Sequence, residues 1–112
     1  MKTFKNTAAQ GDIFIFRIKA LPQNVKAAKV EDNKFIVAHS ETGHHHTVEA
    51  IPGVHFFYSE DPEITYLEVE KEIDLVHERA WDTHETLRFP KGIFQINRQR
   101  EFRPEGWARV ED

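Results

Sequence analysis

The chain has 112 residues, and against roughly 150 per domain this length predicts a single domain, 1–112, around one core. Hydrophobic residues make up 39% and nine residues are Phe, enough to build that core. The net charge of −4 works against nucleic acid or an anionic membrane surface as a partner. With no Cys, disulfides, thiolate metal sites and cysteine nucleophiles are excluded.

Residues 1–10 read as a loosely held end, and Met1 to Lys5 leads into polar sequence rather than a signal-peptide core. No apolar stretch approaches the ~18 residues of a membrane span, so no membrane association and a cytoplasmic location are expected. From there turn formers recur: Gly11, Pro22, Asp32-Asn33, Gly43, Pro52-Gly53, Asp61-Pro62, Pro90-Lys91-Gly92 and Pro104 to Gly106. Turn signals every ~8–12 residues predict an all-β protein, an antiparallel sandwich or small barrel of at least six strands. The segments between them alternate as strands do. Phe14, Phe16 and Ile18 share one face, Phe35, Val37 and His39 another, and Phe94 and Ile96 lie opposite Gln95 and Asn97. Residues 64–80 fit both periods: Leu67, Val69, Ile73 and Leu75 alternate with acidic residues, while Val69, Ile73, Val76 and Ala80 also fit helical spacing. Ile64, Thr65, Tyr66 and Val69 are good strand formers, and the alternate acids give a solvated face, so a strand is expected. The end 104–112 reads as a loosely held tail with a short helical turn.

Seven His occur, three of them consecutive in Gly43-His44-His45-His46-Thr47-Val48. On a strand, His44 and His46 share a face with Val48 and Ala50, the core side, while His45 falls with Thr47 and Glu49. Two imidazoles at i and i+2 on an inward face are placed to bind one divalent cation, with His84 or His77 as a third ligand. The opposing reading is a hydrogen-bonded structural cluster, which is the stronger one for His77 taken singly and more firmly so for His55 and His39. His84 lies in Asp82-Thr83-His84-Glu85, whose carboxylates suit orientation of a ligating imidazole and equally suit a solvated loop.

The string Ala38 to His46 resembles the Thr-Gly-His-x-His segment of an uncharacterised family of short bacterial and phage proteins. Gln10-Gly11-Asp12 before a hydrophobic strand and Gln99-Arg100-Glu101-Phe102 resemble two further blocks of that family. The family's compact His-Glu-Glu-His is replaced by His77-Glu78, five residues and His84. The resemblance implies a recurring polar cluster at these positions and no particular activity. A second resemblance is to cupins, which implies a metal inside a small β-barrel. Here Glu49 follows His46 after two residues, and Gln95 stands where the second cupin motif has His, so both motifs are imperfect.

Two functions are therefore carried forward. One is a metal-binding β-domain with His44, His46 and His84 or His77 as ligands to Zn, Fe(II), Mn or Ni, and with Glu41 or Glu85 near enough to move protons. The other is a non-catalytic phage or mobile-element protein that binds another protein, its histidines forming a polar network. Neither names a substrate or reaction; the partner is a small molecule or protein, and sheet edges of this kind are compatible with a homodimer.

Overall fold

Among the described residues the chain forms eleven short strands, most of which bury one face and so need a second layer to bury it against. The computed structural model of the chain describes residues 2–30, 33–38, 45–77 and 86–98, His77 by its backbone alone. Its strands are β1 (Lys2–Thr3), β2 (Thr7–Gln10), β3 (Ile13–Ile18), β4 (Lys26–Ala27), β5 (Lys34–Ala38), β6 (His46–Glu49), β7 (Val54–Tyr58), β8 (Ile64–Val69), β9 (Ile73–His77), β10 (Leu87–Phe89) and β11 (Gly92–Arg98). They form a five-stranded sheet in the order β1-β10-β9-β6-β5 and a six-stranded sheet in the order β2-β3-β11-β8-β7-β4. The two sheets pack as a sandwich and do not close into a barrel, since no strand pairs across them. All pairings are antiparallel except β1 with β10.

The segment expected to be a loosely held N-terminal end instead supplies β1 and β2, one strand to each sheet. The helix-or-strand ambiguity over 64–80 resolves, as far as residue 77, as β8 and β9, which lie in different sheets; 78–80 lie outside the described residues. Leu67, Val69, Ile73 and Leu75 face the core, and Asp74 pairs outward with Arg88 at 2.9 Å. That carboxylate's hydrogen bond and charge raise the Arg88 pKa. The C-terminal helical turn expected over 104–112 lies outside the described residues.

The core is dominated by rings. Phe4, Phe89 and Phe94 meet edge to face with centroids 5.0–5.6 Å apart, and Phe35 lies 5.8 Å from Phe56. In β3 the phase differs from a simple reading of its aromatics. Ile13 and Ile15 are buried, whereas Phe14 is 47% exposed on the outer face, with Phe16 and Ile18 half-buried beside it. Every residue of β3 except Arg17 is apolar, so alternation alone cannot say which face turns inward. Arg17 shares the inward phase and settles at the sheet margin over the Phe94 ring, 4.9 Å from its centroid, donating to the carbonyls of Lys5 and Lys91.

In β5, Phe35 and Val37 are buried as the alternation requires, but Ala38 is buried too. The cause is a bulge: Ile36 pairs with Thr47 and Ala38 with His46, so Val37 is the extra residue. Thr65 Oγ1 donates to the Val37 carbonyl at 3.3 Å and ties the two sheets together there.

Candidate functional site

Gln10 pairs with Ile13, so Gly11 and Asp12 form a two-residue hairpin loop between β2 and β3. Such loops demand a positive φ at their first position, and Gly11 has φ 57° without the strain a side chain would bring. The loop brings Gln10 and Asp12 of the six-stranded sheet against His46, the first residue of β6 in the other sheet.

His46 is fully buried, and Val48 lies with it on the inward face, as the strand alternation requires. Both its ring nitrogens face protein atoms: Nδ1 lies 2.8 Å from Gln10 Oε1, and Nε2 lies 3.0 Å from Asp12 Oδ1. Gln10, itself buried, donates from Nε2 to the Leu75 carbonyl at 2.9 Å. That bond fixes the amide's orientation, because the flipped amide would set its oxygen against a carbonyl oxygen. Gln10 therefore presents an acceptor to His46, and Nδ1 carries the hydrogen. Asp12 takes a second partner on its other oxygen, Arg98 Nε at 3.4 Å.

This geometry has an electrostatic consequence. With Nδ1 protonated, a neutral imidazole would point the Nε2 lone pair at a carboxylate oxygen 3.0 Å away, a repulsive contact in a dry site. A positive charge must lie between them, either a proton or a metal cation. Adjacent ligand atoms stand roughly 3 Å apart on an octahedral cation with bonds of ~2.1 Å and roughly 3.4 Å apart on tetrahedral zinc, so the spacing is that of a hydrogen bond and lies within a few tenths of an ångström of what a cation needs.

β9 places residue 77 directly opposite residue 46 in the ladder. His44, His84, Glu41 and Glu85 lie outside the described residues, so the expected metal ligands and proton carriers are brought together here only as far as His46 and the register position of His77. Among the described residues, no three His, Asp or Glu side chains group closely enough to hold a metal ion. His55, read from the sequence as a hydrogen-bonded structural histidine, is exposed and pairs with Glu70 at 3.1 Å. The cupin-type positions do not join the site: Glu49 is exposed, and Gln95 bonds Asn97 on β11 at 2.9 Å.

Gln10 and Asp12 enter the sequence reading only through the family resemblance, as part of a recurring polar cluster, and Arg98 does not enter it as a site residue. The signal present was Gln10-Gly11-Asp12, two polar side chains flanking a glycine immediately before an apolar strand. Nothing local said that this loop would meet the histidine segment 34 residues further on.

The fold and site define an all-β sandwich whose two sheets are joined by a Gln–His–Asp–Arg chain, buried at Gln10 and His46 and partly exposed at Asp12 and Arg98. Residues 9–99 match the family described as Domain of unknown function (DUF8820), and the chain belongs to that family. No curated protein and no solved structure matches it. Among the described residues, no helix is long and apolar enough to cross a membrane.

Proposed function

We propose that the protein is a divalent-cation-binding β-sandwich domain in which His46 Nε2 and Asp12 Oδ1 are the two inner ligands. The single observation that carries this reading is the pinned imidazole. Gln10, held by the Leu75 carbonyl, fixes Nδ1 as the donor and leaves Nε2 facing a carboxylate oxygen at 3.0 Å. Metal-ligating histidines are typically oriented this way, by an acceptor on the nitrogen that does not bind. His77, opposite His46 in the ladder, is the favoured third ligand, with His44 and His84 as the other histidine candidates. A nitrogen and oxygen donor set without sulfur suits Zn, Fe(II), Mn or Ni. Proton transfer by Glu41 or Glu85, and any reaction, would be built on that centre.

A second reading is favoured by the same distance. At 3.0 Å the His46–Asp12 contact is also a good hydrogen bond, and a proton alone satisfies it. The cluster is then a structural pair joining the two sheets, and the protein is a non-catalytic interaction domain.

Melting of untagged, chelator-treated full-length protein with added Zn²⁺ or Mn²⁺ separates the two. A cation that binds only the native state at 100 times its Kd stabilises by about 2.7 kcal/mol. At ~2.1 cal/mol/K per residue, that raises the Tm of a chain of this size by roughly 11 °C. The metal reading expects this rise, its loss in His46→Ala and Asp12→Ala, and its retention in His45→Ala. Loss in His77→Ala with retention in His84→Ala identifies the third ligand; the reverse pattern assigns it to His84. An unchanged Tm, with both His46 ring nitrogens protonated by ¹⁵N NMR at neutral pH, establishes the structural pair instead.

A further inference from the structure

The two outer faces of the sandwich differ in chemistry. On the five-stranded sheet the outward positions carry opposed charges: Lys34 stands opposite Glu49, and Asp74 holds Arg88 at 2.9 Å. That face suits water. On the six-stranded sheet the outward positions are largely apolar. Phe14 stands opposite Asn97, Phe16 opposite Gln95 and Ile18 opposite Ile93, and the Phe16 row continues through Tyr66 to Phe57. These side chains point away from the core because the alternate residues of the same strands fill it. Phe14 is 47% exposed, and Phe16, Ile18, Ile93 and Phe57 are half-buried.

Size and charge say what fits this face. Strands stand ~4.8 Å apart and rise ~3.3 Å per residue, so the face from β2 to β7 measures roughly 24 Å by 20 Å, or about 480 Å². Two such faces in contact bury about 1,000 Å², the lower bound for a specific interface. Among the outward side chains of β2, β3, β11, β8 and β7, the only acidic or basic groups are Glu68 and His55, opposite each other at one corner. A strongly charged partner finds no matching charge there, whereas two copies of the chain, each with a net charge of −4, can meet on this face without opposing like charges at its middle. The polar groups are self-complementary as well. Gln95 Nε2 donates to Asn97 Oδ1 at 2.9 Å, which leaves Gln95 Oε1 as an acceptor and Asn97 Nδ2 as a donor. A twofold axis pairs such groups reciprocally, Gln95 with the partner subunit's Asn97 and the reverse.

We infer that the protein forms a twofold homodimer through the outer face of the six-stranded sheet, with Phe14, Phe16, Ile93 and Gln95 in the contact. This interface lies apart from the cation centre, which sits between the sheets, and does not require it. Its modest area implies a dissociation constant in the micromolar range, roughly 1–100 µM.

Sedimentation velocity of chelator-treated full-length protein, from about 5 µM to about 1 mM, reads the equilibrium. A reversible shift from one chain to two is expected over this range. Phe14→Lys places a charge in the apolar contact and should weaken association at least tenfold, and Ile93→Lys should do the same. Glu49→Lys, on the outer face of the other sheet, should leave association unchanged. In the wild type, ¹⁵N–¹H NMR shifts should move with concentration at residues 14–18, 57 and 93–97, which decides the matter if both lysine variants fail to fold. A chain that stays monomeric to about 1 mM overturns the proposal and assigns the face to another segment of this chain or to a different protein. A dimer that both lysine variants leave intact, or whose concentration-dependent shifts fall on the edge strands β1 or β5, also overturns it, because association would then run through a sheet edge.

Discussion

Replacing Gln10 with Leu tests whether the buried amide organises the site. The side chains are similar in length, so the substitution removes polarity with little change of volume. It takes away the acceptor for His46 Nδ1–H and the donor to the Leu75 carbonyl, both at a residue with 2% exposure. Depriving a buried donor of its partner costs ~1–3 kcal/mol, and the Leu75 carbonyl adds a smaller amount. Leucine regains some of this by burying apolar surface, leaving a net loss of about 1–3 kcal/mol. With an unfolding entropy of ~2.1 cal/mol/K per residue, a chain of this size should melt roughly 4–13 °C lower. Thermal unfolding followed by circular dichroism reads that shift, and urea unfolding at constant m confirms that it is a stability change. The variant should also bind Zn²⁺ or Mn²⁺ about 10–100-fold more weakly, because the imidazole is no longer oriented. A Tm within 2 °C of the wild type would show that the amide bridge contributes nothing, and would refute the assignment of the His46 hydrogen on which the cation argument stands.

Three further substitutions probe the scaffold and the site. Gly92→Ala should cost about 2–4 kcal/mol in urea unfolding, because φ is +150° there and an added Cβ would lie 2.1 Å from Arg17 Nη1; a loss under 1 kcal/mol would mean that the Arg17 bridge to Lys91 yields freely. Asp12→Asn keeps the shape of the loop but removes the charge facing His46 and Arg98, and should lower stability by about 1–2 kcal/mol and abolish the metal-dependent rise in melting temperature. His55→Ala should change stability by less than about 0.5 kcal/mol, since its pairing with Glu70 is made between two largely exposed side chains.

Much of the sandwich was legible because its turns carry their own chemistry. Gly11, Asn33 and Gly53 all take positive φ, and each stands where a turn residue announced a strand boundary. Core positions were legible where a strand alternates cleanly, as with Phe94 and Ile96 against Gln95 and Asn97. They were not where every residue is apolar: in β3 the inward phase is set by which neighbours cover it, a long-range fact. The bulge at Val37 was equally hidden, since it exists only relative to the register of β6. For the site, His46 was found from its place on an inward strand face, whereas its partners were not. Gln10 and Asp12 meet His46, and Arg98 meets Asp12, only because β2, β3 and β11 are neighbours in the opposite sheet. Register also ties residue 77 to residue 46, a pairing that spacing in sequence does not reveal.

The central claim is that a metal cation lies between His46 Nε2 and Asp12 Oδ1. Anomalous diffraction at the zinc edge, from crystals of untagged protein grown with stoichiometric Zn²⁺, locates that cation directly. One strong anomalous peak is expected ~2.0–2.2 Å from both atoms, with Gln10 Oε1 still accepting from His46 Nδ1. A map without a peak at that position, with the His46–Asp12 hydrogen bond intact at its 3.0 Å separation, would contradict it.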